Sequence, residues 1–353
     1  MNKEIVRKLV KANSPMNVAG KFLEIVSKSS IITSLYFFFN KSFYFEQKGV
    51  LAGHMAFRNS FSSEEGAIYD LVRDVHRIEK GLSMKHLKPT FAEDYISKAV
   101  RNLEKLLRDY RDMGACKDDR LCWALDVMSR YFQTVKPTEI TERSRAIFER
   151  AADRLDYRVG KRYPHARRVV GYTPVSYEDL KKLAIQRRSV RWYKQRKVPR
   201  NILDKAIEVA KLSPSACNRQ AFEFRIYDDK ELISKISDLP GGMTGYKENV
   251  PCLVVLTGDY SAYIEDRDRH LIYIDGSLAA MAFQFALETL GLSSCCANWP
   301  AVEYKDKKMQ NLLNLRDDQR VIMLISVGFP DPRGLVPHSQ KKSLDQIRSY
   351  NKI

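Results

Sequence analysis

Two polar stretches carry the residue types that bind anions. The first is Arg187-Arg188-Ser189-Val190-Arg191, a cluster of guanidinium groups around one hydroxyl. The second is Ser213-Pro214-Ser215-Ala216-Cys217-Asn218-Arg219-Gln220, a small polar run rich in turn formers. Arginine offers planar forks of donors that match phosphate oxygens. Serine hydroxyls and asparagine amides add orientable donors and acceptors. One anionic ligand with several points of contact would account for both stretches. Each stretch also has an ordinary reading. An arginine-rich run after a helix is usually surface, and S-P-S-A is a common turn. The elements that would position them are a helical pattern over Tyr177 to Gln186, a helix opened by Pro199, and a strand from Phe222 to Tyr227.

The order R-R-S-x-R, then S-P-S-A-x-N-x-Q, resembles the FMN-dependent nitroreductase family, over roughly residues 178–353. The resemblance implies an α+β sandwich, a mainly antiparallel sheet flanked by helices. It implies a homodimer with FMN at the dimer interface. It also implies a two-step reaction: NADH or NADPH reduces the flavin, which passes electrons to a small nitro-, quinone- or enone-like acceptor. Arg187, Ser189 and Lys341 then fall to the phosphate, Arg191 to the N1/O2 edge of the ring, and Arg188 and Ser339 to the cofactor site beside them. Pro214, Ser215, Asn218 and Gln220 fall to the ring and ribityl chain from the other subunit. The segment Gly291 to Trp299 resembles the family's run beside the flavin, with the backbone at Cys296, Ala297 and Asn298 facing O4 and N5. Gly328-Phe329-Pro330, then Ser339-Gln340-Lys341-Lys342, resembles the family's C-terminal phosphate contact.

No catalytic acid or base stands out, and hydride transfer depends on placement more than on a proton-transfer side chain. There is no G-x-G-x-x-G, so no separate nicotinamide-binding domain is implied. Three departures from the family pattern bear on function. Ala221-Phe222 stands where Pro-Trp is common, and Asn298 where some members carry Glu. The stretch from Tyr227 to Pro251 is short and glycine-rich, without the helical insert that lids many members' substrates; the N-terminal helices are expected to cover the site instead. Two other readings stay open. One is a flavin-binding protein without turnover of its own, whose helical half docks a partner or membrane. The other is a member that consumes its flavin or dehalogenates an aromatic, although the lid residues of such members are not evident.

At 353 residues the chain suits two domains, expected at 1–170 and 171–353. A formal charge of +17 favours anionic partners, but no nucleic-acid reader motif is present, so no nucleic-acid partner is expected. The six cysteines form no C-x-x-C and no zinc spacing, so no metal is expected. Reduced core thiols, Cys295-Cys296 among them, and a start without a signal-peptide pattern suit the cytoplasm.

The first fifty residues hold eight Lys/Arg against three Asp/Glu, with the apolar run Ile31 to Phe39. That run is too short to span a bilayer, which takes about 20 residues. Basic residues around an aromatic cluster suit a membrane interface, a weak peripheral contact through residues 1–45. Packing on the second domain or on a partner subunit is the more ordinary reading of the same aromatics. A helical pattern starts at Ser63-Glu64-Glu65 and runs to Leu82. Others cover Phe91 to Met113, Leu121 to Gln133 and Ile140 to Leu155, with no convincing strand before residue 176. His76 and Glu79 share a helix face without a visible third metal ligand. Gly160 to Ser176, with its Gly, Pro and Arg residues, marks a connection. Beyond it, strands at Phe222–Tyr227, Pro251–Gly258, Leu292–Ala297 and Arg320–Gly328 alternate with helices, the longest being His270 to Leu290.

Overall fold

The structure, a computed structural model, describes residues 22–23, 26–40, 43–59, 64–108, 118–154, 157, 159–166 and 174–352. Four strands form one sheet: β1 (Phe222–Tyr227), β2 (Cys252–Asp259), β3 (Ser293–Asn298) and β4 (Gln319–Gly328). Their order is β1-β2-β4-β3, and every neighbouring pair is antiparallel. β2 lies in the middle and reads as an unbroken apolar run because both its faces are covered. Cys252, Val254 and Leu256 point to one side, Leu253 and Val255 to the other, as the period of two requires. On the first side the sheet carries α8 (Arg200–Ala210) and α10 (Leu271–Thr289), packed through Ala206, Ala280, Phe283 and Leu287. On the second it carries α9 (Lys230–Ser237), α11 (Glu303–Leu313) and the buried Tyr193, Tyr246 and Trp299. A register shift opposite Leu256 and Thr257 bulges β4 at Ile322. This is the α+β sandwich expected from the sequence. α7 (Tyr177–Gln186) lies outside it with no buried residue.

Among the described residues no strand precedes residue 176. Instead there are α1 (Ser30–Asn40), α2 (Tyr44–Asn59), α3 (Glu64–Leu82), α4 (Ile96–Leu107), α5 (Asp119–Thr134) and α6 (Glu139–Asp153). Helices α3 to α6 share one core running from Ala67 to Ala151, with Leu71, Val75, Ile78, Leu103, Leu125 and Met128 fully buried. Within it, Lys98 Nζ lies 3.0 Å from Asp70 and 2.9 Å from Asp74, so these buried carboxylates are paired. His76 and Glu79 face one another at 3.6 Å, and among the described residues no group of three metal-ligating side chains gathers.

α2 packs on the sandwich rather than on the helical core. Gly49 and Gly53, four residues apart, let its backbone close on the Arg320 guanidinium and on Tyr260: a Cβ would stand 2.2 Å from Arg320 and 2.5 Å from Tyr260. Arg320 Nη2 donates to the Phe45 carbonyl at 2.8 Å. Val50 joins Tyr260, Ala262, Tyr263 and Ile272 in a shared apolar cluster, and Tyr69 of α3 packs against the same cluster beside Ala216. α1 leaves Ile31, Leu35, Phe38 and Phe39 exposed, so this face does not pack on the sandwich of its own chain. Asp266–Thr289, which contains α10, is apolar and long enough to cross a membrane, and half of its most apolar window is buried inside the protein.

Candidate cofactor site

The arginine run begins where α7 ends. Ser176 caps that helix, its Oγ accepting from the Asp179 N–H at 3.1 Å. The backbone turns extended at Arg187 and runs alongside β3: Ser189 bridges Ser294, and the Val190 N–H donates to the Ser294 carbonyl at 3.1 Å. Tyr193 pins the far end of the run. It is buried, and its OH bonds Val190 O at 2.6 Å and Ser326 Oγ at 2.9 Å, while burial pushes its phenol well above the usual range. Asn249 Nδ2 donates to the Arg191 carbonyl at 2.9 Å, and the Arg191 guanidinium sits 5.7 Å from the Tyr246 ring centroid.

The three arginines are used differently. Arg188 donates to the carbonyls of Pro337 and His338, which draws the C-terminal tail, with Ser339 and Lys341, to this corner of the molecule. Its fork is thus engaged with backbone. Arg187 keeps a buried Nε with no hydrogen-bond partner, and the Ser294 hydroxyl close by in the fold is buried and equally unpartnered. A buried donor without an acceptor is costly, so this pair fits an anionic ligand, phosphate included. Glu288 lies near Arg187, and burial holds its carboxyl above the usual range.

β3 is an edge strand. Beyond Ser294 no other strand among the described residues pairs with its outer side, which leaves backbone at Cys296 and Asn298, facing the same edge as the Ser294 carbonyl, open to a ligand, whereas the Ala297 backbone faces β4. Cys295 and Ala297 point into the core, whereas Cys296 and Asn298 point outward and are exposed. The expectation that both adjacent cysteines are core thiols therefore holds for Cys295 only: alternation along the strand turns Cys296 out. Protein packed around the Cys296 sulfur nevertheless pushes its thiol up to about 11, so it is neutral at neutral pH. Cys116 lies outside the described residues.

The second stretch sits elsewhere. Cys217, Asn218 and Gln220 all have positive φ, at 53°, 55° and 51°. The loop closes on itself: the Gln220 N–H donates to Ser215 Oγ at 3.1 Å and Gln220 Nε2 to Asn218 Oδ1 at 3.2 Å. The loop enters β1 at Phe222, which pairs with Gly258 and, through it, with Arg320; Ser294 pairs with Val327. The two stretches thus lie at opposite edges and opposite ends of the sheet, roughly 19 Å apart across it, the arginine run lying one strand spacing beyond β3, and roughly 20 Å along it by strand spacing and rise. One chain brings Arg187, Ser189, Arg191, the Cys296–Asn298 backbone and the tail with Ser339 and Lys341 together. It does not bring Pro214, Ser215, Asn218 and Gln220 to them. Four residues of these surroundings escape sequence reading: Tyr193, Arg219, Asp275 and Ser294. Asp275 left a signal as one of two acids, with Glu288, in the mostly apolar α10.

Residues 184–244 and 245–329 match the model of the nitroreductase family. A protein of Archaeoglobus fulgidus, provisionally named NADH dehydrogenase/NAD(P)H nitroreductase, is 28% identical over 157 residues, 43% of this chain and 86% of its own. Human iodotyrosine deiodinase 1 is 23% identical over 198 residues, 48% of this chain and 68% of its own. Among solved structures, an FMN-dependent nitroreductase of Clostridium difficile R20291 aligns at 26% identity over 48% of this chain and 98% of its own, with a TM-score of 0.42. The C-terminal half thus carries the nitroreductase-family match, and the helical N-terminal region is separate from it.

Proposed function

We propose, with the nitroreductase-family match over residues 184–329 as premise, that this chain is an FMN-dependent oxidoreductase. NADH or NADPH donates hydride, and a small nitro-, quinone- or enone-like organic molecule accepts the electrons. The observation that carries the reading is the buried, unpartnered Arg187 Nε in the same corner as Ser294 and the tethered tail. FMN, when bound, would supply the hydride-accepting and hydride-donating ring. Arg187, Ser189, Ser339 and Lys341 would hold its phosphate through charge-assisted hydrogen bonds. Arg191 would keep a positive charge at the ring edge, and the open backbone of Cys296 and Asn298 would present hydrogen-bonding groups to it. No side chain is assigned to proton transfer.

The site needs a second copy of the chain, because Ser215, Asn218 and Gln220 lie at the opposite corner. Support comes from α10, where Ile274, Leu278 and Met281 form an exposed apolar stripe at helical spacing. Anaerobic titration of the purified protein with NADH or NADPH tests the proposal: visible flavin absorption should be present and should bleach. Flavin that persists unbleached would leave a flavin-binding protein without turnover of its own. Absence of flavin binding, even after FMN is added, would overturn the cofactor reading. The deiodinase relatives favour reductive dehalogenation as a second reading. Iodide release from iodotyrosine under reducing conditions decides between the two acceptors.

A further inference from the structure

We infer that Asp275 is the positioning residue of the 215–220 loop, the run that the reading above, on which this inference rests, sets against the cofactor of a second subunit. Cys217, Asn218 and Gln220 are held in the left-handed region, which L side chains disfavour. Such a backbone persists only where its surroundings fix it. The loop's internal bonds orient Ser215, Asn218 and Gln220 relative to one another, but they do not tie the loop to the sandwich.

Asp275 makes that tie. It sits in the second turn of α10 and is 3% exposed. Its Oδ2 accepts from the Ala216 N–H at 2.9 Å, at the first turn of the loop, and from the Tyr263 OH at 3.2 Å. Arg219, 8% exposed, lays its guanidinium 4.9 Å from the Tyr263 ring centroid and is the cation facing this carboxylate. One buried carboxylate thus gathers a loop amide, a tyrosine hydroxyl and the field of a loop arginine. Apart from the exposed Ser277, the neighbours of Asp275 along the helix are Ile, Tyr, Gly, Leu and Ala, and an apolar residue there would serve packing alone at lower cost. The outer wall of the same cluster is Tyr69 of α3, which makes the N-terminal helices part of the clamp.

Hydrogen exchange on the full-length protein, freed of any flavin, tests the assignment. Asp275→Ala removes the acceptor and should speed exchange across 216–220 by at least roughly tenfold, while β2 and β4 keep their protection. Asp275→Asn keeps an acceptor for the Ala216 N–H and should stay much closer to the native protein. Unchanged exchange in the loop, or acceleration by the same factor throughout the sheet, would overturn the assignment. Should Asp275→Ala not fold, Tyr263→Phe carries the test by removing the second donor; it should loosen 216–220 selectively, and no change there would overturn the assignment. An FMN titration separates this idea from the cofactor reading. A roughly tenfold weaker affinity in Asp275→Ala is expected. A native protein that binds no FMN would sink the cofactor reading and leave the exchange result to decide the role of Asp275.

Discussion

In the proposed cofactor site Arg187 is the side chain to test first, because its buried Nε finds no acceptor within its own chain. Arg187→Ala should weaken FMN binding by about 1.5–3 kcal/mol, the range for a hydrogen bond to a charged group, or roughly ten- to a hundredfold. Arg187→Lys should recover only part of this, since an ammonium keeps the charge but loses the fork. Flavin fluorescence titration measures both, and unchanged affinity in the alanine variant would remove Arg187 from the site. Glu288 gives a second test. Burial raises its folded pKa above the unfolded value, against the opposing pull of Ser293, Gln186 and Arg187. Its contribution to stability is therefore full at low pH and lost as pH rises through the folded pKa. Glu288→Gln, nearly the same shape, should match the native melting temperature below the carboxylate range and exceed it at neutral pH. A variant less stable than the native protein at neutral pH would mean that the pull of Ser293, Gln186 and Arg187 outweighs desolvation.

Among the elements, α2 depends on what its glycines lack. Alanine is better than glycine in a helix interior by about 1 kcal/mol, so Gly53→Ala should stabilise an isolated helix. Here its Cβ would stand 2.5–2.7 Å from the Cβ, backbone carbon and carbonyl oxygen of Tyr260, none of them the far end of a flexible side chain. The steric term should win, with a loss of about 1–3 kcal/mol, typical of overpacking, seen as a lower midpoint in denaturant melts. A neutral or raised midpoint would mean that α2 does not dock in this way. The same glycines explain why α2 was not legible in the sequence. Its packing face is Gly49, Val50, Gly53 and Phe57, mostly too small to give an apolar period. Where the buried face is large and regular, the pattern is plain in the sequence: Ile68, Leu71, Val72, Val75 and Ile78 mark α3, and the apolar runs at 252–258 and 320–328 mark the two central strands. Residue types at the candidate site were legible, but not which atoms the fold itself consumes. The bonds from Arg188 to Pro337 and His338 span 149 and 150 residues, and no local pattern carries them.

At the scale of the whole molecule, the candidate site is split. The arginine run and the tail occupy one corner of the sheet, and the Ser215–Gln220 loop the opposite one. Nothing within one chain can close that separation without unzipping the sheet. The proposed second copy would close it, and α10 offers a surface for this: Ile274, Leu278 and Met281 are exposed on one stripe, with Ala282 and Phe285 half-buried beside them. Three exposed apolar residues in one line on a helix whose opposite face is buried in the core are the kind of patch a partner covers. Met281→Arg places a charge in the middle of that stripe while leaving the buried face of α10, with Ala280, Phe283 and Leu287, untouched. Light scattering should show the native protein as a dimer and the variant as a monomer with native helix content. Its FMN affinity should fall by at least roughly tenfold, because Arg187 and Ser189 would face the ligand without the partner's loop. A monomer that binds FMN as tightly as the native protein would mean that the corner around Arg187 suffices and that the 215–220 loop serves another ligand.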